Sequence, residues 1–209
     1  MRLSPGKIAV LGRVAAVVAG GFLFSLATQA QVPTSGNVFV GYSYFSADAT
    51  NTISSINRQG LNGWEASLEG KVFPFIGMVA DFSGNYGSQT VPIGVGTCAI
   101  GVVCSPLTAT THVETFLFGP RVSASVGKFR PFGEVLFGAG HIRIKETSPL
   151  PDNFIMPTDT SFATAIGGGL DYKVIRVIAV RVQGDYVQTR FFGATQNNVR
   201  ISTGIVLRF

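Results

Sequence analysis

The amino-acid sequence predicts an all-β fold, an eight-stranded antiparallel up-and-down transmembrane β-barrel. Three observations predict it. Residues 199–209 set Val199, Ile201, Thr203, Ile205, Leu207 and Phe209 against Arg200, Ser202, Gly204, Val206 and Arg208, so one face is almost wholly apolar and the other small or cationic. The same period of two recurs in eight segments of the 209-residue chain. The connections between those segments alternate strictly between short and long.

Ahead of the first segment, residues 1–30 read as a cleaved secretory signal, leaving 31–209 as the barrel domain. Arg2, Lys7 and Arg13 form a basic start, 14–27 an apolar stretch, and Thr28-Gln29-Ala30 a small-residue cleavage site before Gln31. The apolar stretch is short for a bilayer-spanning anchor. No cysteine follows it, which argues against a lipid anchor. Removing these residues takes away three cations and no acid, so 13 basic and 11 acidic residues leave a formal charge of +2 instead of +5. The basicity belongs to the signal, and no nucleic-acid role is expected.

The segments run over 37–47, 61–73, 75–88, 109–126, 129–144, 160–172, 174–189 and 197–209. In the second, Trp64, Ala66, Leu68 and Val72 alternate with Glu65, Ser67, Glu69 and Lys71. The third sets Met78, Ala80 and Phe82 against Asp81, Ser83 and Asn85. The fourth opposes Phe116, Phe118 and Val122 to Thr115, Gly119, Arg121 and Ser123, and the seventh opposes Val180, Val182 and Tyr186 to Arg181, Gln183 and Asp185. A charge facing hydrocarbon near the midplane costs about 2–4 kcal/mol, so the charged parity is assigned to the lumen and a polar lumen is expected. Tyr42, Tyr44, Trp64, Tyr86 and Tyr186, of apolar parity near segment ends, suit interfacial girdles.

Pro120 removes a ladder donor inside the fourth segment, where a bulge or local irregularity is expected. His141 and Arg143 have outward parity and are expected among head groups. The glycine-rich fifth and sixth segments specify their register weakly. Cys98 and Cys104, in one long connection of an exported chain, are expected to form a disulfide closing a small loop. A metal site there is the weaker reading, since neither His112 nor His141 has ligand-like spacing to them.

The signal, the eight alternating segments, the short and long connections and the terminal Phe209 together resemble the eight-stranded outer-membrane barrels of the OmpA and OmpX type, over roughly residues 36–209. The resemblance implies the bacterial outer membrane, with tight turns toward the periplasm and longer loops outside. It also implies that the barrel-assembly machinery recognises the last strand, at Ile201, Ile205, Leu207 and Phe209. Outer-membrane lipids and lipopolysaccharide are the expected surroundings, and a monomer the expected state. OmpA itself carries a further peptidoglycan-binding domain, for which this chain shows no counterpart, so tethering is not implied.

The best candidate constellation is the lumen charge set, with acids Glu65, Glu69, Asp81, Glu134, Asp171 and Asp185 and bases Lys71, Arg121, Arg181, Arg200 and Arg208. Six against five suggests mutual neutralisation, a plug that leaves no open pore. The functional expectation is therefore a structural or surface-interaction protein. A narrow porin-like channel is the alternative, and a lipid A-modifying enzyme the second. Such an enzyme needs a hydroxyl nucleophile beside a histidine oriented by an acid. Neither His112, near Thr110, Thr111 and Glu114, nor His141, near Arg143 and Glu146, has a serine two residues away on its own face. No catalytic residue, metal or cofactor is assigned.

Overall fold

A computed structural model describes residues 35–48, 58–91, 107–147 and 158–209. Eight strands follow one another: β1 Gly36–Asp48, β2 Arg58–Lys71, β3 Ile76–Val91, β4 Leu107–Ser123, β5 Phe129–Thr147, β6 Thr158–Lys173, β7 Ile178–Thr189 and β8 Gln196–Arg208. Each pairs antiparallel with the next, and β1 pairs with β8 from Asn37↔Arg208 to Ser46↔Val199, which closes the barrel. Closure satisfies every backbone edge, the condition for a sheet to stand in lipid. The signal residues and both cysteines lie outside the described residues.

Three tight turns share one end with Gly36 and Phe209. At the first, Phe73 N donates to Ile76 O at 2.9 Å and Ile76 N to Phe73 O at 3.2 Å. The second is closed by reciprocal bonds between Val126 and Phe129, with Gly127 at φ 62° where a side chain would be strained. Val174–Val177 form the third, so the seventh strand starts at Ile178 and not at Val174, as periodicity alone had it. Gly36 and Phe209 exchange backbone bonds of 2.9 and 3.0 Å at this end. The other end carries the longer connections, one of which contains the 3-10 turn Phe191–Gly193.

Pro120 produces no bulge. Pairing with β3 runs through Met78↔Pro120, whereas the β5 ladder lapses between Phe118↔Phe137 and Arg121↔Glu134 and resumes in the same register. The missing N–H therefore costs a local gap and no extra residue.

Apolar side chains of the outward parity face away from the barrel all around it, among them Val40, Leu68, Phe82, Phe118, Ile166, Val182 and Ile205. Each would cost about 1.5–3 kcal/mol if left in water, so only a hydrocarbon surrounding accounts for the surface. Inside, the expected polar lumen holds for only part of its length. Phe45, Leu61, Val79, Val113, Leu117, Leu136, Val187 and Phe191 form a buried apolar cluster inside the barrel, and Phe39, Ala179 and Val206 a smaller one. Eight strands enclose a space that side chains just fill, and apolar side chains fill it without any desolvation cost.

Candidate functional site

The lumen charges meet in two groups, built by strands from opposite walls. In the first, Arg200 of β8 donates from Nη1 to Asp81 Oδ1 at 2.7 Å and from Nε to Asp185 Oδ2 at 3.0 Å. Its Nε also lies 3.3 Å from Glu65 Oε2. Glu65 in turn accepts from the Ser202 hydroxyl at 2.5 Å and from Gln183 Nε2. Three carboxylates thus share one guanidinium in a place without access to solvent.

The second group reverses that balance. Arg121 donates to Glu134 at 2.7 Å and to Glu69 at 3.1 Å, and Glu69 also accepts from Arg130 and, at 3.0 Å, from Asn37 Nδ2. Arg181 holds Asp171 in a two-pronged grip of 2.7 and 3.1 Å, with Arg130 at 3.5 Å and Arg208 at 3.7 Å from the same carboxylate. Phe132 lies under two of these guanidiniums, with Arg121 4.3 Å and Arg181 4.6 Å from its ring centre. Here four arginines face three carboxylates. Fork geometry and ring stacking are what make arginine suitable for buried pairs, and every base of both groups is arginine.

Ten of the eleven residues expected in the lumen set are in these two groups. Lys71 is not. It lies half-buried at the end of β2, and no ion pair reaches its side chain among the described residues. Arg130 takes its place, so the tally remains six acids and five bases. The signal for Arg130 was present, since it shares the parity of Glu134, but it stands immediately after a turn where parity is hard to anchor. Asn37, Ser123, Gln183 and Ser202, which complete the hydrogen bonding, carry no charge pattern that would have singled them out.

Beyond the charged groups the lumen opens, at the loop end, into a cup lined by Phe45, Val113, Ile142 and Phe191, with Gln59, Thr111, Gln196 and Asn198 around it. Thr111 donates to Gln59 Oε1 at 3.1 Å, while Gln196 Oε1 accepts from Thr189 and Phe191 N. On the outer face, His141 Nδ1 lies 2.7 Å from the hydroxyl of Thr160, its cross-strand neighbour on β6. A search along β5 alone misses that hydroxyl. Glu114 is the cross-strand partner of His141 on β4, yet among the described residues no carboxylate comes within ion-pair reach of either histidine. His112 instead stacks edge-on against Tyr86, ring centres 5.0 Å apart. Among the described residues no group of three or more His, Cys, Asp or Glu side chains has the arrangement to hold a metal ion.

Ile201, Ile205, Leu207 and Phe209 all face outward, each more than half exposed in the protein alone. Thr203 in the same row turns its hydroxyl to Arg181 O at 3.1 Å, which explains why a polar residue is tolerated there.

No protein-family model and no curated protein matches this chain. Solved structures do. Ail, the attachment invasion locus protein of Yersinia pestis, superposes with a TM-score of 0.56 at 13% identity, covering 84% of this chain and 98% of Ail; that structure contains the heparin analogue sucrose octasulfate. Neisserial surface protein A gives 0.55 at 9% identity over 83% of this chain and 97% of its own. The outer-membrane protein OprG from Pseudomonas aeruginosa gives 0.52 at 11% identity, covering 84% and 95%. At such identities the likeness is one of fold, and it agrees with the closed antiparallel ladder. The chain is a closed eight-stranded transmembrane β-barrel with the fold of these outer-membrane proteins.

Proposed function

We propose that this barrel is a plugged membrane anchor that acts through its external end, in a structural or surface-contact role, and is neither a conduit nor an enzyme. The observation that carries this reading is the bridging of the lumen by ion pairs between opposite walls, Arg200 of β8 to Asp81 of β3 and Glu69 of β2 to Arg130 of β5. A solute would have to break buried pairs to pass, at several kcal/mol each. The fold likeness to an attachment protein and to a surface protein points the same way. Lipopolysaccharide and outer-membrane lipids are the surroundings that fit its outer face.

Single-channel recording on the refolded protein tests the reading. The expected result is negligible or very small conductance from the unmodified barrel. Large, stable currents that pass small solutes would replace it with the channel reading.

Phe209 carries a second expectation. The assembly machinery is the partner proposed for the last strand, so Phe209→Asp is expected to lower the amount of heat-modifiable barrel recovered in outer membranes. Unchanged recovery, measured by gel shift of unboiled against boiled samples, would remove the terminal strand from that role.

A further inference from the structure

The end of the barrel that carries the tight turns has a composition unlike the rest of the surface. Within 71–76, 124–129 and 173–178 stand Lys71, Lys128, Lys173 and Arg176, and no acidic side chain. The loop end is mixed, with Asp48, Glu114 and Asp159 among Arg58, Arg143 and Arg190. Interleaved with the turn cations are Phe73, Phe75, Val126, Ile175, Val177 and Phe209, each at least half exposed in the protein alone. Turns bathed in water do not call for side chains of that kind, and an exposed apolar cluster marks an interaction surface.

Height along the barrel says what meets it. A strand tilted at about 40° climbs roughly 2.5 Å per residue, so an apolar band of about 25 Å takes about ten residues. Ile76 and Tyr86 on β3, and Phe162 and Tyr172 on β6, are each ten residues apart. The strands alone therefore span the hydrocarbon, and the turns lie just beyond its lower edge. They are continuous with the lipid-facing band, at the level of the head groups.

From this we infer that the turn end is a docking surface for anionic phospholipid of the inner leaflet. The apolar turn residues dip into the interface, and Lys128 and Arg176, both exposed, hold the phosphate groups. Lys71 and Lys173 flank the first and third turns from the last residues of β2 and β6. This accounts for Lys71 standing outside the lumen network, since its charge serves the bilayer surface. A basic residue near an anionic surface contributes about fivefold in an equilibrium constant, the equivalent of about 1 kcal/mol.

The test uses the full barrel in bilayers of defined composition. Folding equilibrium constants from urea titrations are compared between phosphatidylcholine vesicles and vesicles with one third phosphatidylglycerol. Wild type is expected to favour the anionic bilayer, and the double variant K128Q/R176Q to lose roughly 25-fold of that preference at low salt. An equal preference in the variant, or none in wild type, would overturn the assignment to anionic lipid. Depth is read separately in nanodiscs, where both faces are open to solvent, with the W64F/F75W variant providing a single tryptophan at the first turn. Quenching by brominated lipid, with shielding from acrylamide, is expected. Free access of acrylamide to that indole would place the turns in water, as a surface for a periplasmic protein, and overturn the inference.

Discussion

Arg200→Ala is expected to lower the unfolding free energy of the barrel by about 3–5 kcal/mol, because it leaves Glu65, Asp81 and Asp185 facing one another in a dry interior. Unfolding in urea, followed by the gel shift of unboiled protein, measures the loss. The imbalance of this group adds a sign to the prediction. With three carboxylates on one guanidinium, Asp81→Asn relieves repulsion while keeping shape, and its cost is expected to be a small fraction of that of Arg200→Ala. Equal losses from the two substitutions would show that the charge ratio does not govern this group. In the second group the direction inverts. Glu69 is the shared acceptor of Arg121 and Arg130, so Glu69→Ala leaves four guanidiniums to Glu134 and Asp171 and belongs with Arg200→Ala in severity.

Gly63→Val is expected to abolish the folded barrel or to destabilise it by at least about 3 kcal/mol. A Cβ at this position would stand 1.9 Å from the carbonyl oxygen of Gly84 and 2.7 Å from the Cα of Asn85. Both are backbone atoms of β3, and neither can retreat without opening the β2–β3 ladder, where Gly63 pairs with Asn85. Glycines at such points let a sheet coil tightly enough to close. Gly184→Ala is the matched control, since its nearest obstacle is 4.0 Å away, and its effect is expected within about 0.5 kcal/mol. Comparable damage from both would show that backbone flexibility, and not close approach, is what Gly63 supplies.

The sequence made the ladder legible because lipid enforces period two on the outward row where it faces hydrocarbon. Charged residues are excluded from that row in β8, so strand, parity and sidedness follow from Val199 to Phe209 alone. The same rule places Glu65, Asp81, Arg121, Arg181 and Arg200 inside the barrel from parity alone. Their partners were not legible. That Arg200 reaches Asp81 across the lumen depends on register and strand tilt, which accumulate around the closed sheet and leave no local trace. The apolar filling was also hidden, because Leu61, Val113 or Val187 at lumen parity reads as a lapse in the alternation. Phe191 enters the lumen from a connection and has no parity at all. Thr160 beside His141 went unseen for a related reason, because cross-strand neighbours are far apart in sequence.

The β1–β8 ladder has a consequence in time. Residues from Asn37 to Ser46 find their second partner only in the segment from Val199 to Arg208, almost the whole described length of the chain away. Contacts so distant in sequence make for slow folding. Until the last strand arrives, β1 presents an unpaired edge of the kind that templates aggregation. The chain is therefore committed to a late, all-or-none sealing step, and the interval before it is when this protein is most vulnerable to misassembly.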